Sequence, residues 1–182
     1  LVIAGITGLW QKTDNQKLEL TLFKHLKAAS YLIIYFIIGC FLVFYFIKSD
    51  SLKGLYIVVP AFMILILPTF YLHLNYYNKC KECVFELNKN EIKVLKKGET
   101  LVFYQENFRS IEFYMSGTRL AGLAIRNLPF EDYYYAKIIM NDNSEIIITS
   151  LFSHKIDEIL SSFYEKTQLI KTKDFYPIIP LS

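Results

Sequence analysis

Histidine and cysteine are scarce in this chain, three of each among 182 residues, and that scarcity removes several chemistries at once. Three cysteines cannot build the even-numbered disulfide framework of a small secreted domain. Cys80 and Cys83 form one C-x-x-C pair, but a structural zinc site takes four ligands, and no second C-x-x-C or H-x-x-x-H is present. The pair reads as two free cytosolic thiols. His25 and His154 lie too far apart for ligand spacing. No metal and no cofactor is expected.

An excess of one charge is also missing. The net charge is only +3, and from Lys79 onward 14 Lys and Arg face 14 Asp and Glu. That balance excludes a nucleic-acid module, whose affinity rests on clustered positive charge. Nor does the sequence contain G-x-S-x-G, G-x-x-x-x-G-K-[ST], H-E-x-x-H or G-x-G-x-x-G. Glu131 and Asp132 are adjacent carboxylates, but neighbouring side chains point apart, whereas general acid–base catalysis needs convergence on one atom. They read as a solvated loop pair, and the chain reads as a non-enzyme.

What the sequence does contain is two long apolar runs. Ala29 to Ile47 carries no charge over 19 residues, and Leu55 to Leu74 contains only His73 as a titratable group of the imidazole or charged type. Each is long enough to cross a hydrocarbon core of about 30 Å at about 1.5 Å per residue. A polar hinge, Lys48 to Gly54, separates them, which predicts a membrane hairpin over residues 29–75. Small Gly39 and Cys40 allow close helix approach, and Pro60 and Pro68 predict kinks in the second span. Tyr31, Tyr45, Tyr71, Tyr76 and Tyr77 fit interfacial belts.

Lysines set the expected orientation. Lys12, Lys17, Lys24 and Lys27 precede the first run and Lys79, Lys81 and Lys89 follow the second, against Lys48 and Lys53 in the hinge. Both termini are therefore expected on the cytoplasmic side. Residues 1–28 read as an N-terminal segment ending in a basic amphipathic helix, with Leu18, Leu22, Phe23 and Leu26 at helical spacing. The opening Leu1 to Trp10 lacks a basic n-region and a cleavage site, so it is a poor signal peptide. A strand and an interfacial anchor led by Trp10 both remain open.

Past Asn78 the pattern changes to alternation. Val84–Asn88, Glu91–Lys96, Thr100–Tyr104 and Ser110–Met115 read as strands, Leu120–Ile125 as an apolar segment, and Tyr133–Met140 with Glu145–Thr149 as a hairpin. From Lys155 to Lys166, Ile156, Ile159, Leu160 and Phe163 form one apolar helix face, with Ser153 as N-cap. A soluble α+β domain is thus expected over residues 79–168, followed by an extended tail, 169–182.

The hairpin, FELNKNEIKVLKKGET, NFRSIEFY and YYYAKIIMNDNSEIIITSLFSHKIDEIL together resemble the bacterial PH-like domain membrane proteins, in particular the YcxB-like group. The resemblance implies an antiparallel barrel or sandwich of about seven strands closed by a C-terminal helix, following a two-helix membrane anchor. The family pattern commonly has Trp in the NFRSIEFY passage; that role falls here to Phe108. No catalytic residues are implied. The implied location is the bacterial cytoplasmic (inner) membrane, and the implied role a binding or assembly module of undefined ligand. An anionic-lipid sensor and a small accessory subunit of a transporter or membrane enzyme complex are the alternatives. Lys93, Lys96 and Lys97 are the candidate lipid-binding residues, set against a solvated turn beside Glu91 and Glu99. Phe113, Tyr114 and Tyr133–Tyr135 read as core and rim aromatics. The expected partners are a lipid bilayer and a protein of unknown identity, docking at an edge strand or groove.

Overall fold

The computed structural model describes residues 15–123 and 128–180. The expectations for Leu1–Trp10 and for Lys12 lie outside the described residues. Two helices dominate the first half, α1 (Leu22–Lys48) and α2 (Leu52–Cys80), joined by a turn in which Asp50 takes a φ of 50°. Thr21 caps α1 by accepting the Lys24 N–H at 3.3 Å. Both helices are long and apolar enough to cross a membrane, and only 11% and 17% of their most apolar windows are buried. That exposure separates them from the core helices of a water-soluble fold, which hide their apolar residues. The helices approach closely at Gly39, where a Cβ would overlap the Phe62 ring. Cys40 points outward.

The rest folds as two four-stranded sheets. The first has the order β1-β2-β3-β4, from β1 (Asn15–Glu19), β2 (Cys83–Asn88), β3 (Glu91–Lys96) and β4 (Glu99–Tyr104). The second has the order β7-β6-β5-β8, from β5 (Phe108–Met115), β6 (Tyr135–Met140), β7 (Glu145–Thr149) and β8 (Gln168–Lys173). Between the strands lie α3 (Gly117–Leu120) and α4 (Ile156–Phe163). The β3–β4 turn has Lys97 at φ 51° and Gly98 at φ 86°, the left-handed pair that matches strand twist in a two-residue hairpin.

Three expectations need correction. Residues 15–19 are a strand, not the start of an amphipathic helix: Leu18 is 2% exposed and pairs with Phe85 of β2. Leu18 and Leu20 have period-two spacing, and the leucines of α1 that follow disguised it as helical. The sheet therefore begins before the hairpin, and the hairpin is inserted between its first two strands. The expected tail forms an eighth strand, β8, parallel to β5 from Ser110↔Gln168 to Met115↔Lys173. The second sheet is thus mixed rather than antiparallel. Its lysine-rich edge, suited to solvent, concealed it. Finally, Ser153 does not cap α4: Lys155 precedes that helix without a side-chain cap, and the Ser153 hydroxyl accepts the Lys155 N–H at 3.2 Å instead. Of the apolar segment Leu120–Ile125, Leu120 sits in the short α3 turn, capped by Ser116, and 124–127 fall outside the described residues.

Two cores hold these parts. The first lies between the sheets and under α4, and includes Phe85, Leu87, Ile92, Ile111, Phe113, Ile138, Phe152 and Leu160. Phe85 and Phe152 meet edge-on at 5.1 Å, a favoured aromatic geometry. The second lies outside the second sheet, where Ala28 of α1 and Leu72 and Tyr76 of α2 pack with Phe130, Tyr133, Tyr135, Leu151 and Ile179. The base of the hairpin is therefore a packed layer of the domain, not a rod on a tether.

Candidate functional site

The second core gathers polar groups that the chain order keeps far apart. His73 on α2 places Nδ1 2.7 Å from the Tyr133 hydroxyl, and that hydroxyl donates to the Ala28 carbonyl of α1 at 3.3 Å. One phenol carries one proton. With that proton on Ala28, the oxygen accepts from His73 Nδ1–H, and His73 Nε2 keeps its lone pair. It faces His25 Nε2 at 3.5 Å. The two imidazole rings lie 4.7 Å apart, and His25 Nδ1 is buried without a partner. Burial pushes the Tyr133 phenol up, with Asp132 adding to it, so Tyr133 stays a donor at any ordinary pH. One tyrosine thus bridges both helices to the domain.

On the other side, Asn75 and Tyr76 of α2 hold the chain's C-terminal segment. Asn75 Nδ2 donates to the Ile179 carbonyl at 3.1 Å, and Asn75 Oδ1 accepts the Ile179 N–H at 3.0 Å. The Tyr76 hydroxyl donates to the Pro177 carbonyl at 2.7 Å. Buried amides need such pairing, because an unpartnered polar group away from water costs about 1–3 kcal/mol.

A third polar element locks α3 to α4. Arg119, with a side chain 6% exposed, contacts Asp157 Oδ1 at 2.7 Å. The same nitrogen donates to the His154 carbonyl at 2.7 Å, and the guanidinium lies 3.7 Å over the Tyr134 ring. The Tyr134 hydroxyl donates to Asp157 at 2.9 Å. Burial pushes the Asp157 carboxyl up, but the Arg119 charge and these hydrogen bonds outweigh it and hold it below the usual carboxylate value.

The predicted lysines separate. Lys93 sits mid-strand, paired with Glu91 at 3.1 Å and opposite Glu86 in the register. Lys96 is opposite Cys83, three residues beyond the end of α2. The Lys96–Lys97 turn therefore stands at the hairpin end of the sheet, while Lys89 lies at the far end beyond Asn88, which pairs with Asn15. Lys97 also reaches Glu82 at 3.4 Å, so its charge is partly offset. Lys96 pulls down a Cys83 thiol that burial raises overall.

Other sequence candidates fall elsewhere. Cys80 contacts Thr149 Oγ1 at 2.8 Å, and Cys83 contacts the Lys79 carbonyl at 3.6 Å. Among the described residues no group of three or more His, Cys, Asp or Glu gathers as a metal set. Glu131 is 5% exposed, not solvated, because its carboxylate accepts the Leu128 N–H at 2.9 Å and closes the loop before β6. Asp132 instead lines a shallow pocket of about 450 Å³ with Lys27, Ser30, Tyr31, Ile34 and His154. Phe113 and Tyr133–Tyr135 are buried, and Tyr114 stacks on Tyr135 at 4.9 Å.

Two four-stranded sheets enclosing a core with α4 make this an α+β fold of the PH-like kind. The sequence matches the PH domain family over residues 17–157, from β1 through the hairpin into the first turn of α4. The chain belongs to the PH domain family. No curated protein matches it.

Proposed function

We propose that this protein is a non-enzymatic, membrane-anchored binding or assembly module of the bacterial YcxB-like kind. Its α1–α2 hairpin sits in the cytoplasmic membrane, and its PH domain stands on the cytosolic side. A PH domain supports a binding role in general. The observation that carries the anchored reading is the position of the hairpin. It is inserted between β1 and β2, exposes large apolar residues such as Phe41 and Ile57 along its length, and is packed to the domain at its base. An anchor so joined fixes the domain's attitude toward the bilayer.

Labelling with a membrane-impermeant maleimide tests the topology, in a chain whose Cys40 is replaced by Ala. Ser51→Cys in the hinge should label from outside in intact cells, and Asn143→Cys in the β6–β7 turn only after lysis. The reverse pattern overturns the orientation, and protection of both positions until lysis overturns the anchor. Cys80 cannot serve as the inner marker, being 2% exposed.

The position of the Lys96–Lys97 turn favours a second reading, contact with anionic headgroups beside the hairpin. It draws on Lys96 and Lys97 and leaves out Lys93, whose charge Glu91 neutralises.

A further inference from the structure

The C-terminal segment Asp174–Pro180 follows β8 but does not continue its ladder. Asp174 N–H makes the last sheet contact, to the Met115 carbonyl at 2.9 Å. Asp174 then accepts the Tyr176 N–H at 3.2 Å and turns the chain toward α2. From there the segment is held in a different manner. Asn75 offers its amide as a surrogate peptide group, donating to and accepting from Ile179 alone, and Tyr76 donates to the Pro177 carbonyl. Phe130 supports it from the loop before β6, with its ring 4.6 Å from Tyr176.

The side chains alternate. Ile179 is 0% exposed while Ile178 is 41% and Phe175 59% exposed. Hydrogen bonds to the main chain and pockets for alternate side chains are how an extended peptide is read by a groove. Pro177 and Pro180 suit this, since each lacks the N–H that a regular ladder requires.

We propose that Asn75, Tyr76, Leu72 and Phe130 form a peptide-reading cleft, filled here in cis by the chain's own segment 174–180 as a releasable strap. The strap closes the second core, so its seating governs how firmly the hairpin base is held to the domain. The occupant is an extended apolar segment with a proline two residues before a buried isoleucine.

The test uses the full chain in detergent, so it stands apart from any result on membrane topology. A protease site is inserted after Lys173 and cut once the protein has folded. A labelled peptide of sequence DFYPIIP is then added in excess. The expected result is exchange of the cut segment for the labelled peptide with the domain still folded. Affinity should fall about tenfold or more with Asn75→Ala, for loss of two hydrogen bonds, and similarly for a peptide bearing Ile179→Asp. A peptide bearing Ile178→Ala, changed at a position 41% exposed, should bind as the parent does. Three results overturn the proposal. They are unfolding on cleavage, a cut segment that never exchanges, and equal loss of binding for the Ile178 and Ile179 peptides.

Discussion

The two cores differ in kind. The one between the sheets is built mainly from aliphatic and aromatic side chains, with strand ladders supplying most of its hydrogen bonds and the Tyr134 and Tyr164 hydroxyls adding to them at its rim. The one at the hairpin base is tied by His73, Tyr133, Asn75 and Tyr76, each reaching a residue at least 60 positions away. Apolar packing supplies bulk stability without direction, whereas satisfied buried polar contacts select one arrangement over its neighbours. The first core makes the domain fold; the second sets how the hairpin meets it.

The largest effect should follow from damage to the first core. Phe152→Ala removes a side chain 0% exposed and should cost about 3–5 kcal/mol. Thermal unfolding of the solubilised protein would report this as loss of the whole domain. A small shift in its midpoint would mean that this core is less essential than the comparison holds.

Next comes Arg119→Ala, which leaves the half-buried Asp157 carboxylate with Tyr134 as its remaining side-chain partner and should cost about 2–3 kcal/mol. Its pH dependence sharpens the point. The folded Asp157 carboxyl lies below its unfolded value. Its contribution is therefore complete above the ordinary carboxylate pKa, about 4, and fades as pH falls through the lower folded value. Asp157→Asn should flatten the acid limb of a stability-against-pH curve; an unchanged limb would remove this pair from the account.

A milder change, Tyr133→Phe, deletes the hydroxyl shared by His73 and Ala28. It should cost about 1–2 kcal/mol and leave the sheets intact. Hydrogen exchange should rise around residues 25–28 and 130–135 and not in β2 or β3. Exchange rising evenly across both cores would erase the distinction between them.

The smallest effect belongs to the surface. With the protein held in neutral-lipid nanodiscs, Lys96→Glu with Lys97→Glu should weaken binding of a soluble short-chain anionic lipid by about fivefold in total, since Glu82 already offsets Lys97, while Lys93→Glu changes little. Equal effects at all three positions would contradict the separation that the β2–β3 register imposes.

Much of the first core was legible in the sequence. Phe85, Leu87, Ile92 and Val94 alternate with polar neighbours, and Ile156 and Leu160 fall one helical turn apart, so local periodicity marked β2, β3 and α4. β1 was not legible, because its partner lies beyond both helices and its five residues are too few to display a period. The second core left no local trace at all. Nothing near Asn75 points to Ile179, and Tyr133 looks like its two neighbours although each of the three faces a different partner. Arg119 follows a Ser-Gly-Thr break that reads as a loop, and only the fold brings Asp157 to it. Among the lysines, the clustering was visible; which end of the sheet each occupies required the register.

The β1–β2 ladder also acts as a parity check. β1 enters the hairpin and β2 leaves it, and the two strands pair along their length from Asn15↔Asn88 to Glu19↔Val84. Paired strands must share one side of any barrier. The helices between them must therefore both cross or both remain behind, since a single crossing leaves the strands in separate compartments. In that miscarried state the place of Leu18 against Phe85 stands empty and β2 shows a bare edge, a template for aggregation. A water-exposed sheet of this kind would thus count any passages of the chain through a bilayer and close only on an even number.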